Sequence, residues 1–181
     1  SLMTRKRPPE KILPRKKESK LPLVRAGALT GFLELLEDRD TATDLYKMAS
    51  LLMMDIEDFF PLVEAADLLQ FTRVVEGDIE LTEQGRHFAQ ATVLDRKEIF
   101  CQQLLSSIPL VQQMLQVLRA KANHEMNREF FLDILMRTME EKEAQEQLDL
   151  LIGWERYAEL IEYDPDREVI VLEESADLQK L

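Results

Sequence analysis

The feature that most constrains the fold is an order of periodicities: three helical patterns, two short β-prone runs around a glycine turn, then another helix. Over residues 27–38 the apolar positions Leu29, Phe32, Leu33 and Leu36 recur at helical spacing. Asp40 and Thr41 supply a start signal for a second helix with Leu45, Met48, Ala49 and Leu52 on one face. Asp55 is placed to cap a third, with Glu57 and Asp58 in its first turn and Phe59, Leu62, Val63 and Ala66 inward. Pro61 suits that helix only in its first turn and otherwise kinks it. The runs 71–75 and 79–81 around Glu76-Gly77-Asp78 predict a hairpin. Thr82 then starts a helix in which Gly85 permits close packing against the hairpin.

Three helices followed by a two-stranded wing is the order of a winged-helix domain. The segment Leu81-Thr82-Glu83-Gln84-Gly85 resembles the stretch that follows the wing in many winged-helix regulators. Beyond it, residues 95–121 predict long helix broken at Pro109. An amphipathic helix with Phe130, Phe131, Ile134, Leu135 and Met139 follows. A last helix carries Leu148, Leu151, Ile152 and Tyr157, and 162–172 predict a second hairpin with a Pro-containing turn. The expected fold is mainly α with short β-hairpins, in tandem winged-helix-like units. No strong residue-level repeat links the halves, so the duplication rests on element order. The expected division is a basic linker with a cloning remnant over 1–21, a winged-helix-like domain over 22–93, a helical segment with a second, degenerate unit over 94–175, and a tail over 176–181.

Charge narrows the function. Residues 1–20 hold eight basic and two acidic side chains, a net +6. The whole chain's −12 then leaves −18 on residues 21–181. A body this acidic repels phosphate backbones. The basic arm has four prolines within residues 3–22 and no interleaved aromatic for base stacking, so it reads as a tether before it reads as a nucleic-acid or membrane arm. The candidate recognition helix, 55–69, carries Asp55, Glu57, Asp58, Glu64 and Asp67 and no Lys or Arg, whereas a major-groove reader needs cationic or amide donors.

No residue pattern in the sequence marks a catalytic, cofactor-binding or metal-ligating residue. The glycine-rich phosphate loop, the dinucleotide fingerprint and the nucleophile elbow are missing from the sequence. His87 and His124 have no partner at ligand spacing. Cys101, the one cysteine, reads as a buried thiol beside Phe100 and Leu104, and it rules out an internal disulfide. The acidic pairs Glu37-Asp38, Glu140-Glu141 and Glu173-Glu174 read as solvated faces. Trp154 reads as core rather than as a partner-binding anchor, with Gly153 before it suggesting a close helix contact. In each of Phe59-Phe60 and Phe130-Phe131 at most one ring can face the core.

Several stretches together resemble one family: 22–36, 78–89 (with Ile79-Glu-Leu-Thr-Glu-Gln-Gly85), 96–100, and Trp154-Glu-Arg-Tyr-Ala-Glu-Leu160 with Tyr163-Asp164. They are similar to the C-terminal AAA-associated domain appended to ATP-binding subunits of nitrate/sulfonate/taurine-type ABC transporters. The resemblance covers roughly 21–172. It implies a non-catalytic regulatory or assembly domain that follows an ATPase domain through a basic linker, at the cytoplasmic face of the membrane without inserting into it. The implied partners are the ATPase domain of the same or a neighbouring subunit, or a second copy in a homodimer, with no nucleic acid. A winged-helix transcriptional regulator binding DNA is the alternative.

Overall fold

The computed structural model describes residues 20–39 and 41–179, and side chains to residue 176. The expected linker falls outside it except for Lys20 and Leu21. Helix α1, Ala26–Glu37, buries Leu29, Phe32, Leu33 and Leu36. A two-residue strand, β1 (Thr43–Asp44), leads into α2, Leu45–Leu51. Helix α3 spans Ile56–Leu68. Strands β2 (Thr72–Val75) and β3 (Asp78–Leu81) form the wing, and α4 is Glu83–Gln90. The wing turns on Glu76 (φ 50°) and Gly77 (φ 86°). Two consecutive positive φ values make this a type I′ turn, the hand that matches strand twist.

Helix α5, Val93–Ser107, links this unit to a second one. That unit comprises α6 (Pro109–Ala120), β4 (Glu125–Asn127), α7 (Arg128–Leu135), α8 (Glu141–Tyr157), β5 (Ile161–Asp164), β6 (Val169–Leu172) and α9 (Glu174–Gln179). The two units are duplicates in topology. Their sheets run β1-β3-β2 and β4-β6-β5, all antiparallel. Ile79 pairs with both Thr43 and Val74, and Ile170 with both Met126 and Tyr163.

Three backbone bonds recur. The Leu45 amide donates to the Gly77 carbonyl as Arg128 does to Glu168. The Phe71 amide donates to Ala66 as Leu160 does to Glu155. The Thr82 amide donates to Phe71 as Glu173 does to Leu160. The repeat that residue identities conceal is thus written in main-chain hydrogen bonds, and it equates Ala66 with Glu155.

The units share one core. The Phe100 ring on α5 lies 6.5 Å from both Phe71 and Phe88 of the first unit, and 6.0 Å from Trp154 and 5.0 Å from Tyr157 of the second. Trp154 is core: it is fully buried, and its indole N–H donates to the Val24 carbonyl at 2.7 Å. Cys101 is buried, and Phe59 and Phe131 point inward while Phe60 and Phe130 face out.

Several local expectations change. The side chain that caps α2 is Asp44, accepting from the Lys47 amide, so the helix starts later than Asp40-Thr41 suggest. Residues 43–44 are drawn off to pair with β3. Strands β1 and β4 are too short to leave a period-2 pattern, and both hairpins are therefore three-stranded sheets. Asp55 occupies the N-cap of α3 without making a side-chain cap bond. Pro61 stands sixth in α3, beyond the first turn; it leaves the Glu57 carbonyl without an intrahelical donor, on an exposed face where water can serve. Gly153 makes no close contact: a Cβ there would meet nothing within 4 Å. Residues 174–179 are helix where 176–181 reads as a tail, and Ala176 is buried.

Candidate interaction surface

The second helix of a helix-turn-helix presents its outer ridge to a partner, and here that helix is α3. Glu57, Phe60, Glu64 and Asp67 follow i, i+3, i+7 and i+10 spacing, so they stack along one side. All four are exposed, and Phe60 is 38% exposed. None of the three carboxylates has an ion-pair partner among the described residues. Burial raises the Asp67 carboxyl above its ordinary value, because no cation offsets the partial loss of water. Tyr46, Leu51 and Met53 add exposed apolar surface on α2 and the turn after it. The ridge is anionic with one aromatic in its middle.

The equivalent ridge of the second unit differs. Counting from the Ala66–Glu155 equivalence, α8 places Glu146, Asp149, Gly153 and Arg156 at those four positions. Asp149 is paired with Arg128 at 2.9 Å, and Arg128 also donates to Gln145. That ridge carries both signs and no aromatic, so the duplication has been specialised and the first unit has the single-sign face.

The ridge is held rigidly from behind. Phe32 packs edge-on to Phe59 at 5.6 Å, fixing α3 to α1. Gln103, buried on α5, donates to the Leu69 carbonyl at the end of α3 and accepts from Gln84. Arg96 donates to the Phe88 and Ala89 carbonyls at the end of α4 and pairs with Glu34 of α1 at 2.8 Å. The first described residues pack instead on α8 of the second unit. The Leu21 amide donates to Gln147 Oε1 and its carbonyl accepts from Gln147 Nε2, while Lys20 pairs with Glu143, holding that carboxyl below its ordinary range.

His87 is exposed and His124 half-buried, and no group of three or more His, Cys, Asp or Glu among the described residues is placed to hold a metal ion. The acidic pairs named above lie at the surface or half-buried. Sequence reasoning missed Glu155, which is wholly buried with neither carboxylate oxygen bonded among the described residues. The signal was present: Glu155 continues the Leu148–Leu151 stripe at helical spacing.

The sequence family described as the C-terminal AAA-associated domain matches residues 46–164, most of both units. The chain belongs to that family. No curated protein matches this AAA-associated domain. Among solved structures, restriction endonuclease FokI is similar at 13% identity and a TM-score of 0.49, over 67% of this chain and 30% of FokI. FokI bound to DNA gives 12% and 0.47, over 68% of this chain and 31% of that one. The domain thus spans under a third of FokI's length, and a likeness of that degree carries no functional argument. Among the described residues no helix is long and apolar enough to cross a membrane.

Proposed function

We propose that this AAA-associated domain is the non-catalytic regulatory extension of an ABC importer's ATP-binding subunit, of the nitrate/sulfonate/taurine type. It acts by docking the α3 ridge against a basic surface of the ATPase domain in the same or a neighbouring subunit, at the cytoplasmic face of the membrane. Residues 1–21 serve as the tether, 22–93 as the docking unit, and 94–175 as the unit that braces it.

The observation that carries the reading is α3, which occupies the position of a recognition helix yet presents three unpaired carboxylates, one aromatic and no cation. Such a ridge repels DNA phosphate. It also repels its own copy, since α3 against α3 would bring like charges together, so the partner is a different surface. A cationic face with an apolar recess for Phe60 fits it. The transporter class rests on the resemblance of 78–89 and 154–164.

The test is binding of the purified chain to the ATPase domain of an importer subunit of that type. Calorimetry should show an interaction weakened by salt and abolished in the charge-reversed Glu57→Lys/Glu64→Lys/Asp67→Lys variant. Equal affinity of wild type and variant overturns the ridge. Salt-resistant, sequence-specific retardation of duplex DNA would overturn the protein-docking reading itself.

A further inference from the structure

The duplication exposes one position where the two units differ in kind. Ala66 and Glu155 hold the same place: the last turn of the third helix, with a carbonyl that accepts the amide five residues on. The next but three residue in each, Gln70 and Glu159, has positive φ (65° and 59°). Both side chains are fully buried. The first unit has a methyl group there and the second a carboxyl, with both oxygens unbonded among the described residues.

No charge on the elements packed against α8 answers it. On α5, Arg96 is engaged with Glu34 and the α4 carbonyls, and Lys97 with Glu159, while Asp95 and Glu98 are exposed. On α7, Arg128 is committed to Asp149, and Glu129 and Asp133 are exposed. On α1, Glu34 pairs with Arg96, and Glu37 accepts from Gln90. On β5, Glu162 is exposed, Tyr163 is half-buried, and Asp164 is bound to Arg167. Cys101 on α5 is the other buried titratable side chain of these elements.

We infer that Glu155 makes the closed packing of the second winged-helix unit proton-linked: the unit holds with the carboxyl protonated and loosens when it ionises. An unpaired buried carboxylate is among the costliest groups to enclose. Desolvation is the cause that pushes the Glu155 carboxyl well above its ordinary range. In the unfolded chain it ionises at the usual value. The contribution it makes to stability is therefore complete below that value and is lost as the pH climbs through the raised one. The first unit has Ala66 at that place, and its raised carboxyl, Asp67, is exposed, so its dependence is weaker and the duplicated halves respond differently to pH.

The test compares wild type with Glu155→Gln, which keeps the shape and cannot titrate, by denaturant unfolding and hydrogen exchange from pH 5 to pH 8.5. The ratio of unfolding constants, wild type over variant, should rise with pH, at most about tenfold per pH unit. The gain in exchange should concentrate in residues 141–172 and spare 26–90. A ratio flat with pH overturns the inference, as does an equal loss of protection in both units. Glu155→Ala, which copies the first unit, is read in parallel. If Gln does not fold, the Ala variant decides by the same criterion.

Discussion

Gly85 is the position where the packing argument can be tested most sharply. A Cβ built there lies 1.9 Å from the Phe71 carbonyl oxygen and 2.8 Å from its carbon, both backbone atoms. To reach even 3.0 Å, α4 and the start of the wing must part by about 1.1 Å. Two bonds cross that junction: the Thr82 amide to the Phe71 carbonyl at 2.9 Å, and the Thr82 hydroxyl to the Gln70 carbonyl at 2.7 Å. Overpacking costs about 1–3 kcal/mol, and each weakened bond about 0.5–1.5 kcal/mol. Gly85→Ala should therefore destabilise by roughly 2–6 kcal/mol. At about 2–4 °C per kcal/mol for a domain of this size, the melting temperature falls by roughly 4–24 °C. Gly153→Ala is the control. It is helical and exposed, with nothing within 4 Å of the new methyl, and should gain about 0.5–1 kcal/mol. Calorimetric melts of the two variants decide the matter. Gly85→Ala melting with the wild type refutes the claim that α4 touches the wing backbone.

Further outcomes follow from the duplicated core and its ties. In the second unit Met114 and Leu148 stand where the first has the Phe32–Phe59 ring pair, and they line a cavity of about 40 Å³ with Phe131, Leu135 and Leu151. Leu148→Phe should fill it and raise stability by about 1 kcal/mol, read by urea unfolding. Arg96→Ala removes two carbonyl contacts and the Glu34 pair, and should cost about 1–3 kcal/mol in the same assay. Trp154→Phe removes the bond to the Val24 carbonyl while keeping an aromatic ring; hydrogen exchange should speed up at residues 21–25 more than in α1.

The helices were legible because each buries one face at 3.6-residue spacing: Leu29-Phe32-Leu33-Leu36 and Val111-Met114-Leu115-Leu118 are the same stripe written twice. The wing was legible through Gly77, and the Gly85 approach through a glycine in a helix that propensity alone would not place there. What the sequence concealed is non-local. Strands β1 and β4 take their identity from partners dozens of residues away. Asp44 caps α2 only because β1 ends there. Gly153 misled because a helical glycine signals close packing only when another backbone lies opposite. The anionic ridge was readable from composition, whereas its unpaired state and rigid support were not. Glu155 looked like one acid among many, and only its place on an apolar stripe set it apart.

The measurement that bears most directly on the proposed docking through α3 is amide exchange by mass spectrometry on the domain together with the proposed ATPase partner, beside the domain alone. Contact with the ATPase surface should slow exchange across residues 56–68 and leave α8 unchanged. Identical exchange in α3 with and without the ATPase domain, or slowing confined to residues 141–157, contradicts the account.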